Sequence, residues 1–183
     1  PETLALSNLN RYALAPRCFV GDLKTLMLES WQTSGITIRG EALRFDERTP
    51  RALCALAPTV LVGTDDIPSR WFVQAFQPEW LGVGATIHFT AMVSEHSRDS
   101  ACAACLHPDD DDVNAPIATV SFVSYWAGLL LLARLLRKHS NRPVPEHERV
   151  LEIASLQAGA EHGVWLHRVN RNARCPLRCT RAA

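Results

Sequence analysis

Four of the six cysteines occur as two close pairs, and their thiols are the side chains best suited to hold a metal ion. Cys102 and Cys105 are separated by two residues, and Cys175 and Cys179 by three. Four thiolates suit one tetrahedral Zn²⁺, and two clustered pairs are the usual way to supply them. An ion shared by both pairs would tie the end of this sequence to its middle.

Other uses of these cysteines stay open from spacing alone. A disulfide framework is typical of small, cysteine-dense secreted domains, and this sequence shows no secretory signal peptide. A thioredoxin-like redox motif would follow a strand, whereas Cys102 follows the polar segment 95–100. Unliganded cysteines are the third alternative. Structural zinc is the favoured interpretation, and with it a reducing, cytoplasmic compartment.

Composition limits the partners and the number of domains. The 183 residues carry 19 basic and 19 acidic side chains, so net charge gives no reason to expect nucleic acid or anionic membrane as a partner. A hydrophobic content of 47% supports one domain over residues 1–183. Residues 117–133 are uncharged but only about the length of the shortest membrane spans, so a buried helix is the better interpretation.

The hydrophobic pattern alternates between strands and helices, which predicts an α/β fold with a mostly parallel sheet. We expect helices over 23–31, 69–76 and 121–139, and strands over 36–45, 59–62, 84–93, 150–153 and 163–169. Ligands of such sheets bind at the carboxyl ends of strands. Asp65 and Asp66 follow the apolar run 59–62 and therefore belong to a candidate site.

Cations and carboxylates near that sheet edge suggest a nucleotide. Arg11 and Lys24 are two positive charges near the start of the chain, and Asp65 and Asp66 offer oxygen ligands for Mg²⁺. A triphosphate needs this combination, because an Arg gives forked contacts, a Lys gives a point charge and the metal screens the remaining oxygens. Each motif alone is more often a solvated polar turn.

Taken together and in this order, the motifs match a known family. The segments 7–12 (SNLNRY), 20–24 (VGDLK) and 64–70 (TDDIPSR), with the two cysteine pairs, resemble the ThiF/MoeB-like adenylating enzymes, relatives of the ubiquitin-activating enzymes. Tyr12 replaces a family Gln, and Asp66 replaces a family Asn. The resemblance extends from Ser7 to Cys179.

The resemblance implies a fold and an activity. It implies a Rossmann-like, doubly wound sheet with a four-cysteine zinc knuckle, and adenylation by MgATP of the C-terminal carboxylate of a small ubiquitin-like or sulfur-carrier protein. In that scheme Arg11 and Lys24 hold phosphates, and Asp65 acts on the Mg²⁺–ATP unit. Asn8 orients Arg11 or a phosphate, and Arg70 supports the turn or the substrate tail. A homodimer or heterodimer is implied as well.

Two departures from the family pattern modify this expectation. No Gly-x-Gly-x-x-Gly phosphate loop precedes residue 7, so the first βαβ unit is expected to be missing from this sequence, which alone would then be inactive. The segment 107–116 carries no cysteine, so adenylation without a thioester relay is expected.

Two further hypotheses compete with the enzyme. The missing glycine loop favours a non-catalytic, zinc-stapled partner subunit of an activating enzyme if Pro1 is near the natural start. A plain dinucleotide-binding oxidoreductase is the weaker alternative, because its glycine fingerprint is absent and the cysteine pairs are not part of it.

Overall fold

Short runs of aliphatic and β-branched residues form one five-stranded sheet in the computed structural model, which describes residues 2–10, 12, 14–46, 48–49, 56–109, 121–140, 150–157 and 162–179. The strands are β1 (Thr59–Val62), β2 (Trp80–Ile87), β3 (Thr90–Ser97), β4 (Val150–Ser155) and β5 (Gly163–Arg168). The α-helices are α1 (Lys24–Glu29), α2 (Ile67–Ala75), α3 (Ala103–Leu106) and α4 (Ser121–His139). Two 3₁₀ turns, Leu6–Asn10 and Arg17–Phe19, precede α1.

The sheet is mixed, with strand order β1-β2-β3-β4-β5. Strand β1 pairs with β2 in parallel, and the three other pairs are antiparallel. The α/β class is therefore confirmed, but the described strands are not mostly parallel. Only His88 and Phe89 separate β2 from β3, and so short a connection can join only antiparallel strands. The segment 84–93, predicted as one strand, is thus a hairpin.

The predicted elements are otherwise found close to their expected bounds, with one exception. Residues 36–45 form no strand, although an isolated bridge joins Thr33 to Ile36. The segment is held against α1 instead, because the Gly40 amide donates to the Glu29 carboxylate at 2.7 Å. The alternation of apolar residues over 36–45 therefore did not correctly predict a strand.

Helices cover both faces of the sheet centre. Leu81 and Val83 of β2 point to one face, where they pack with Val73 of α2. Alternate residues point to the other face, and there Gly82 lies beneath Leu131 of α4. The first four residues of β2 are consequently all buried, as expected for a strand between two helical layers.

A buried ion cluster fixes α4 to the sheet. The guanidinium of Arg134 lies 3.1 Å from the Glu152 carboxylate on β4 and 3.8 Å from the Glu95 carboxylate on β3. Only 5% of Arg134 is exposed, so this charge depends on its partners for stabilisation. The apolar contact of Val123 and Ala127 with Ala91 completes the same interface.

Within the described residues no helix combines the length and the apolar character that crossing a bilayer requires.

The contact between Gly82 and α4 leads to a stability prediction. A Cβ atom at residue 82 would lie 2.6 Å from the Trp80 ring and 2.8 Å from Leu131 Cδ1, closer than carbon atoms can approach. We expect Gly82→Ala to lower the free energy of unfolding by about 1–3 kcal/mol in a denaturant titration. Gly63→Ala, where a Cβ meets nothing within 4 Å, should change it by less than about 0.5 kcal/mol. Equal effects of the two substitutions would contradict the close packing.

Candidate functional site

The turn after β1 is built by two neighbouring aspartates with different tasks. Asp66 caps α2, because its Oδ2 accepts a hydrogen bond from the Ser69 amide at 2.6 Å. Asp65 is exposed at the carboxyl end of β1. Because Asp66 is engaged in capping the helix, Asp65 is the carboxylate here that can bind a ligand.

Arg70 braces the same turn from inside the protein. Its Nε and Nη2 donate to the Thr64 carbonyl oxygen at 3.2 and 2.8 Å, and only 6% of the residue is exposed. Burial lowers the pKa of Arg70, while the carboxylates of Asp65 and Asp66 act in the opposite direction. The guanidinium therefore fixes the backbone next to Asp65 and adds positive charge beneath the turn.

Lys24, the first residue of α1, lies in a polar environment. Its Nζ forms an ion pair with the Glu2 carboxylate and lies 5.2 Å from the centre of the Tyr12 ring. Burial acts to lower the pKa of Lys24, but the contacts with Glu2 and Tyr12 outweigh it and leave that pKa raised. The ammonium is therefore charged at neutral pH.

A cavity of about 480 Å³ lies beside Lys24. Its described lining consists of Glu2, residues 23–25 and residues 41–44, which bring Arg44 and Glu41 to the same space. Asp65 and Arg70 are not part of that lining, but Phe45 connects the two regions. The Ser69 hydroxyl donates to the Phe45 carbonyl at 3.5 Å, so the segment that follows the cavity lining contacts the first turn of α2.

The other two predicted nucleotide-binding residues lie near the start of the chain. Asn8 is buried, and its Oδ1 accepts a hydrogen bond from the Ala5 amide at 3.0 Å. That bond closes the first 3₁₀ turn, so this side-chain oxygen has a structural partner. Arg11 lies outside the described residues. Arg44 and Glu41 were missed by sequence analysis, because no spacing relates them to Lys24.

The four paired cysteines come together in one cluster. The Sγ atoms of Cys102, Cys105, Cys175 and Cys179 all lie within 4.8 Å of one another. The separations of 3.1, 3.5 and 3.7 Å for 105–179, 102–175 and 102–105 exceed a disulfide bond. A tetrahedral ion with metal–sulfur bonds of ~2.3 Å has sulfur–sulfur edges of about 3.8 Å. The cluster therefore fits one metal ion.

Hydrogen bonding and burial also suit a metal-thiolate centre. The Asn172 amide donates to Cys105 Sγ at 3.3 Å, a contact that stabilises a thiolate. Burial raises the pKa of Cys102, and it raises the pKa of Cys179 to about 11. Burial also acts to raise the pKa of Cys175, but hydrogen bonds from the Cys179 amide and the Cys102 thiol lower it overall. Deprotonating all four thiols in this space needs a cation between them.

Supporting residues around the cluster were largely invisible in the sequence. The side chain of Gln74 on α2 accepts from the Ala103 amide at 3.1 Å and anchors the helix turn between the first two cysteines. Arg174 forms an ion pair with Asp109 at 3.2 Å, which joins the second pair to the segment after α3. Isolated polar residues of this kind give no spacing signal.

His96 holds the segment that leads into Cys102. Its Nδ1 donates to the Ala101 carbonyl at 2.8 Å, and its Nε2 accepts from the Ser94 hydroxyl at 2.9 Å. The ring is 1% exposed, and burial lowers its pKa to about 4. His96 is thus a neutral support of the cysteine cluster rather than a base open to substrate.

Comparison with sequences of known proteins gives a limited result. No protein-family model matches the chain. An uncharacterized protein, y4jF of Sinorhizobium fredii, is 27% identical over 109 residues, which is 58% of this chain and 21% of that protein.

Comparison with solved structures shows the fold. The structure of E. coli MccB with ATP matches at a TM-score of 0.77 with 16% identity, over 96% of this chain and 56% of MccB. The microcin C7 biosynthetic enzyme MccB in complex with N-formylated MccA matches at 0.77 with 15% identity, over 96% and 58%. PaaA matches at 0.67 with 12% identity, over 92% and 62%. The chain has an MccB-like fold and spans little more than half of the length of MccB.

The buried histidine predicts a pH dependence of stability. The folded-state pKa of about 4 lies below the ordinary value of ~6.5, so the unfolded chain binds the proton more tightly. The contribution of neutral His96 to the free energy of unfolding is complete above pH ~6.5, and it declines as the pH falls towards 4. Between pH 7 and 5 we expect a loss of about 2 kcal/mol in unfolding free energy. The measurement is denaturant unfolding at several pH values.

His96→Gln should unfold with a shallower pH dependence over that range, whereas His162→Gln, at an exposed histidine, should keep the wild-type dependence. Because His96 supports the segment that leads into Cys102, the metal content of all three proteins is measured at each pH. Superimposable pH profiles for wild type and His96→Gln would show that this histidine is not responsible.

Proposed function

We propose that this chain is part of an enzyme that uses MgATP to adenylate the C-terminal carboxylate of a small peptide or of a small ubiquitin-like or sulfur-carrier protein. The observation that carries the proposal is the match of 96% of the chain to MccB, whose solved structures include one with ATP and others with MccA. The likeness to ThiF/MoeB-like enzymes in residues 7–12, 20–24 and 64–70 supports it independently.

The reaction makes clear demands on the protein. A carboxylate oxygen forms a bond to the α-phosphorus of ATP, the bond from that phosphorus to the bridging oxygen breaks, and pyrophosphate leaves with the electron pair. Both reactants are anionic, so fixed cations must hold them in line and stabilise the charge that develops. Mg²⁺, when bound, supplies the screening of phosphate oxygens that side chains cannot provide.

The described residues suit parts of this task. The ammonium of Lys24 is charged and borders a cavity of about 480 Å³, a size suited to a nucleotide. Asp65 presents an exposed carboxylate for the metal, and Arg70 holds its backbone in place through Thr64. The proposed phosphate-binding set also includes Asn8 and, outside the described residues, Arg11. Glu2, the ion-pair partner of Lys24, would have to exchange with the incoming phosphate.

We propose that the metal of the cysteine cluster is Zn²⁺ and that its task is structural. Four protein ligands leave no open position for substrate, which is the arrangement of a structural rather than a catalytic zinc. The cluster is also largely buried. Zinc would therefore stabilise the packing of residues 172–179 against α3 and take no part in adenylation.

The aspartate pair allows a test in which one residue is a control for the other. Asp65→Asn should reduce ATP-dependent pyrophosphate exchange at least ~100-fold, because the metal–triphosphate unit loses its ligand, while the melting temperature stays within about 1 °C. Asp66→Ala should instead lower the unfolding free energy by about 1 kcal/mol through loss of the α2 cap. Exchange is measured with the product of the complete reading frame and small proteins encoded beside it.

Binding of Mg²⁺ and AMPCPP, followed by calorimetry, gives a readout that needs no carrier protein. The proposed role of Asp65 is supported if the wild-type protein binds AMPCPP and the Asp65→Asn variant binds it more weakly. Normal exchange in Asp65→Asn would contradict that role. Failure of the wild-type complete protein to bind AMPCPP or exchange pyrophosphate would favour the non-catalytic partner subunit over the enzyme.

Metal content tests the zinc proposal. Elemental analysis of reduced protein should find about one zinc and no iron per chain, which separates Zn²⁺ from an iron–sulfur centre, the other use of four thiolates. Cys105→Ser should lose the zinc and much of the stability, because structural zinc contributes roughly 10–16 kcal/mol in small sites. Cys18→Ser, at an exposed cysteine outside the cluster, should keep both. Reduced wild-type protein without zinc would overturn the proposal.

A further inference from the structure

Positive charge is concentrated at one end of a chain that is neutral as a whole. Residues 163–183 contain five arginines and no acidic residue, whereas the other 162 residues hold 14 of the 19 basic side chains and all 19 acidic ones. The zero net charge therefore conceals a negative body and a positive end. Such separation of charge along a sequence is typical of a segment that contacts a polyanion.

The arginines of this segment reach solvent. Arg168, Arg171, Arg174 and Arg178 are all exposed. Arg174 pairs with the Asp109 carboxylate at 3.2 Å, and the other three form no ion pair with any residue in the described part of the chain. The segment contains no lysine, and arginine is the residue that binds phosphate oxygens through two parallel N–H donors. Most of this charge is therefore free to meet a ligand.

Contacts at the cysteine cluster fix the backbone that carries these arginines. The Asn172 amide donates to Cys105 Sγ at 3.3 Å, and the Cys175 amide donates to the Asn172 carbonyl at 3.0 Å. A second turn follows, in which the Arg178 amide donates to the Cys175 carbonyl at 2.9 Å. Side chains displayed on a fixed loop need little further ordering when they bind a ligand, so the arrangement suits recognition.

His167 of β5 lies on the same face of the sheet as the cysteine cluster. The register of the strands places Met92, Ile153 and Trp165 side by side on one face. Alternate residues of a strand share a face, so His96, which supports the cluster from β3, and His167 belong to that face too. His167 is exposed, and its ring offers a stacking surface close in sequence to the arginines.

We propose that His167 and the four exposed arginines, here called the arginine surface, bind RNA. The guanidinium groups would pair with phosphates, and the His167 ring would stack on an unpaired base. Residues 163–179 contain no α-helix, the element that ordinarily enters the major groove of DNA, whereas loops of this kind suit the splayed bases of single-stranded RNA. No residue of the arginine surface lines the cavity beside Lys24, so the proposal does not depend on adenylation.

Fluorescence anisotropy with a labelled, unstructured RNA of about 16 nucleotides tests the arginine surface. The wild-type chain should bind this RNA with a Kd of roughly 1–100 μM at physiological salt. Arg171→Gln combined with Arg178→Asn should weaken binding at least ~10-fold and reduce the slope of log K against log salt by about 1.4, because two phosphate contacts are lost. Asparagine is chosen at residue 178 because the backbone φ there is +52°, which asparagine tolerates.

A matched control removes the same charge elsewhere. Arg17→Gln combined with Arg39→Gln, at exposed positions outside the arginine surface, should bind RNA like wild type. Metal content and melting temperature should be unchanged in both double variants. Absence of RNA binding by wild type, or equal losses in the two double variants, would overturn the proposal. Loss of metal from Arg171→Gln with Arg178→Asn alone would instead assign these arginines to stabilising the anionic cluster.

Photocrosslinking locates the contact without any substitution. RNA that carries thiouridine should crosslink to wild-type protein within residues 163–179, as mapped by mass spectrometry of the digested complex. Crosslinks confined to other segments would refute the arginine surface.

Two other polyanions are outcomes that would count against RNA. If duplex DNA binds as tightly as the RNA at equal salt, the surface recognises phosphates in general. If polyglutamate competes as well as unlabelled RNA does at equal charge concentration, the surface suits an acidic protein instead.

Discussion

The meeting of four thiols is the constraint on which the arrangement of this chain depends. Residues 172–179 contain no α-helix or strand, so their position is fixed by side-chain contacts. With the proposed metal bound, the cysteines would provide the strongest of these, because a tetrahedral centre admits one geometry for all four ligands. The cluster in turn packs against Trp71, whose indole donates to the His107 carbonyl at 2.9 Å. The same structure thus connects the tail of the described chain to α2.

Through α2 the cluster is connected to the proposed nucleotide site. The first turn of α2 contains the cap by Asp66, and its next residues include Arg70, which fixes the backbone beside Asp65. Gln74, one turn further along, holds the helix between Cys102 and Cys105. One short helix therefore carries the turn at its N-terminus and a support of the metal cluster near its C-terminus. Loosening the cluster is expected to disturb the turn through this helix.

What could be predicted from the sequence were the features with a local signal. The apolar run of β1 and the paired cysteines each depend on residues close in the chain. The cap of α2 was missed, because the helix was expected from residue 69 and Asp66 was placed among the metal ligands. The β2–β3 hairpin was missed because His88 occupies its turn at a φ of +51°, where Gly or Asn would have been the usual signal. The roles of His96 and Gln74 depend on tertiary contacts between residues that are isolated in the sequence, so no spacing pattern could indicate them.

The long uncharged segment shows how one sequence feature can have several physical meanings. Read by composition, residues 117–133 approach the length of a membrane span. In the fold, Val123, Ala127 and Leu131 of α4 face the sheet, which accounts for only one side of the helix. A helix that packs on a single layer needs one apolar face, whereas α4 carries a second, exposed one with Leu129 at its centre. Burial against the sheet accounts for the inner apolar face of α4, so this part of the uncharged run is a packing feature of the fold.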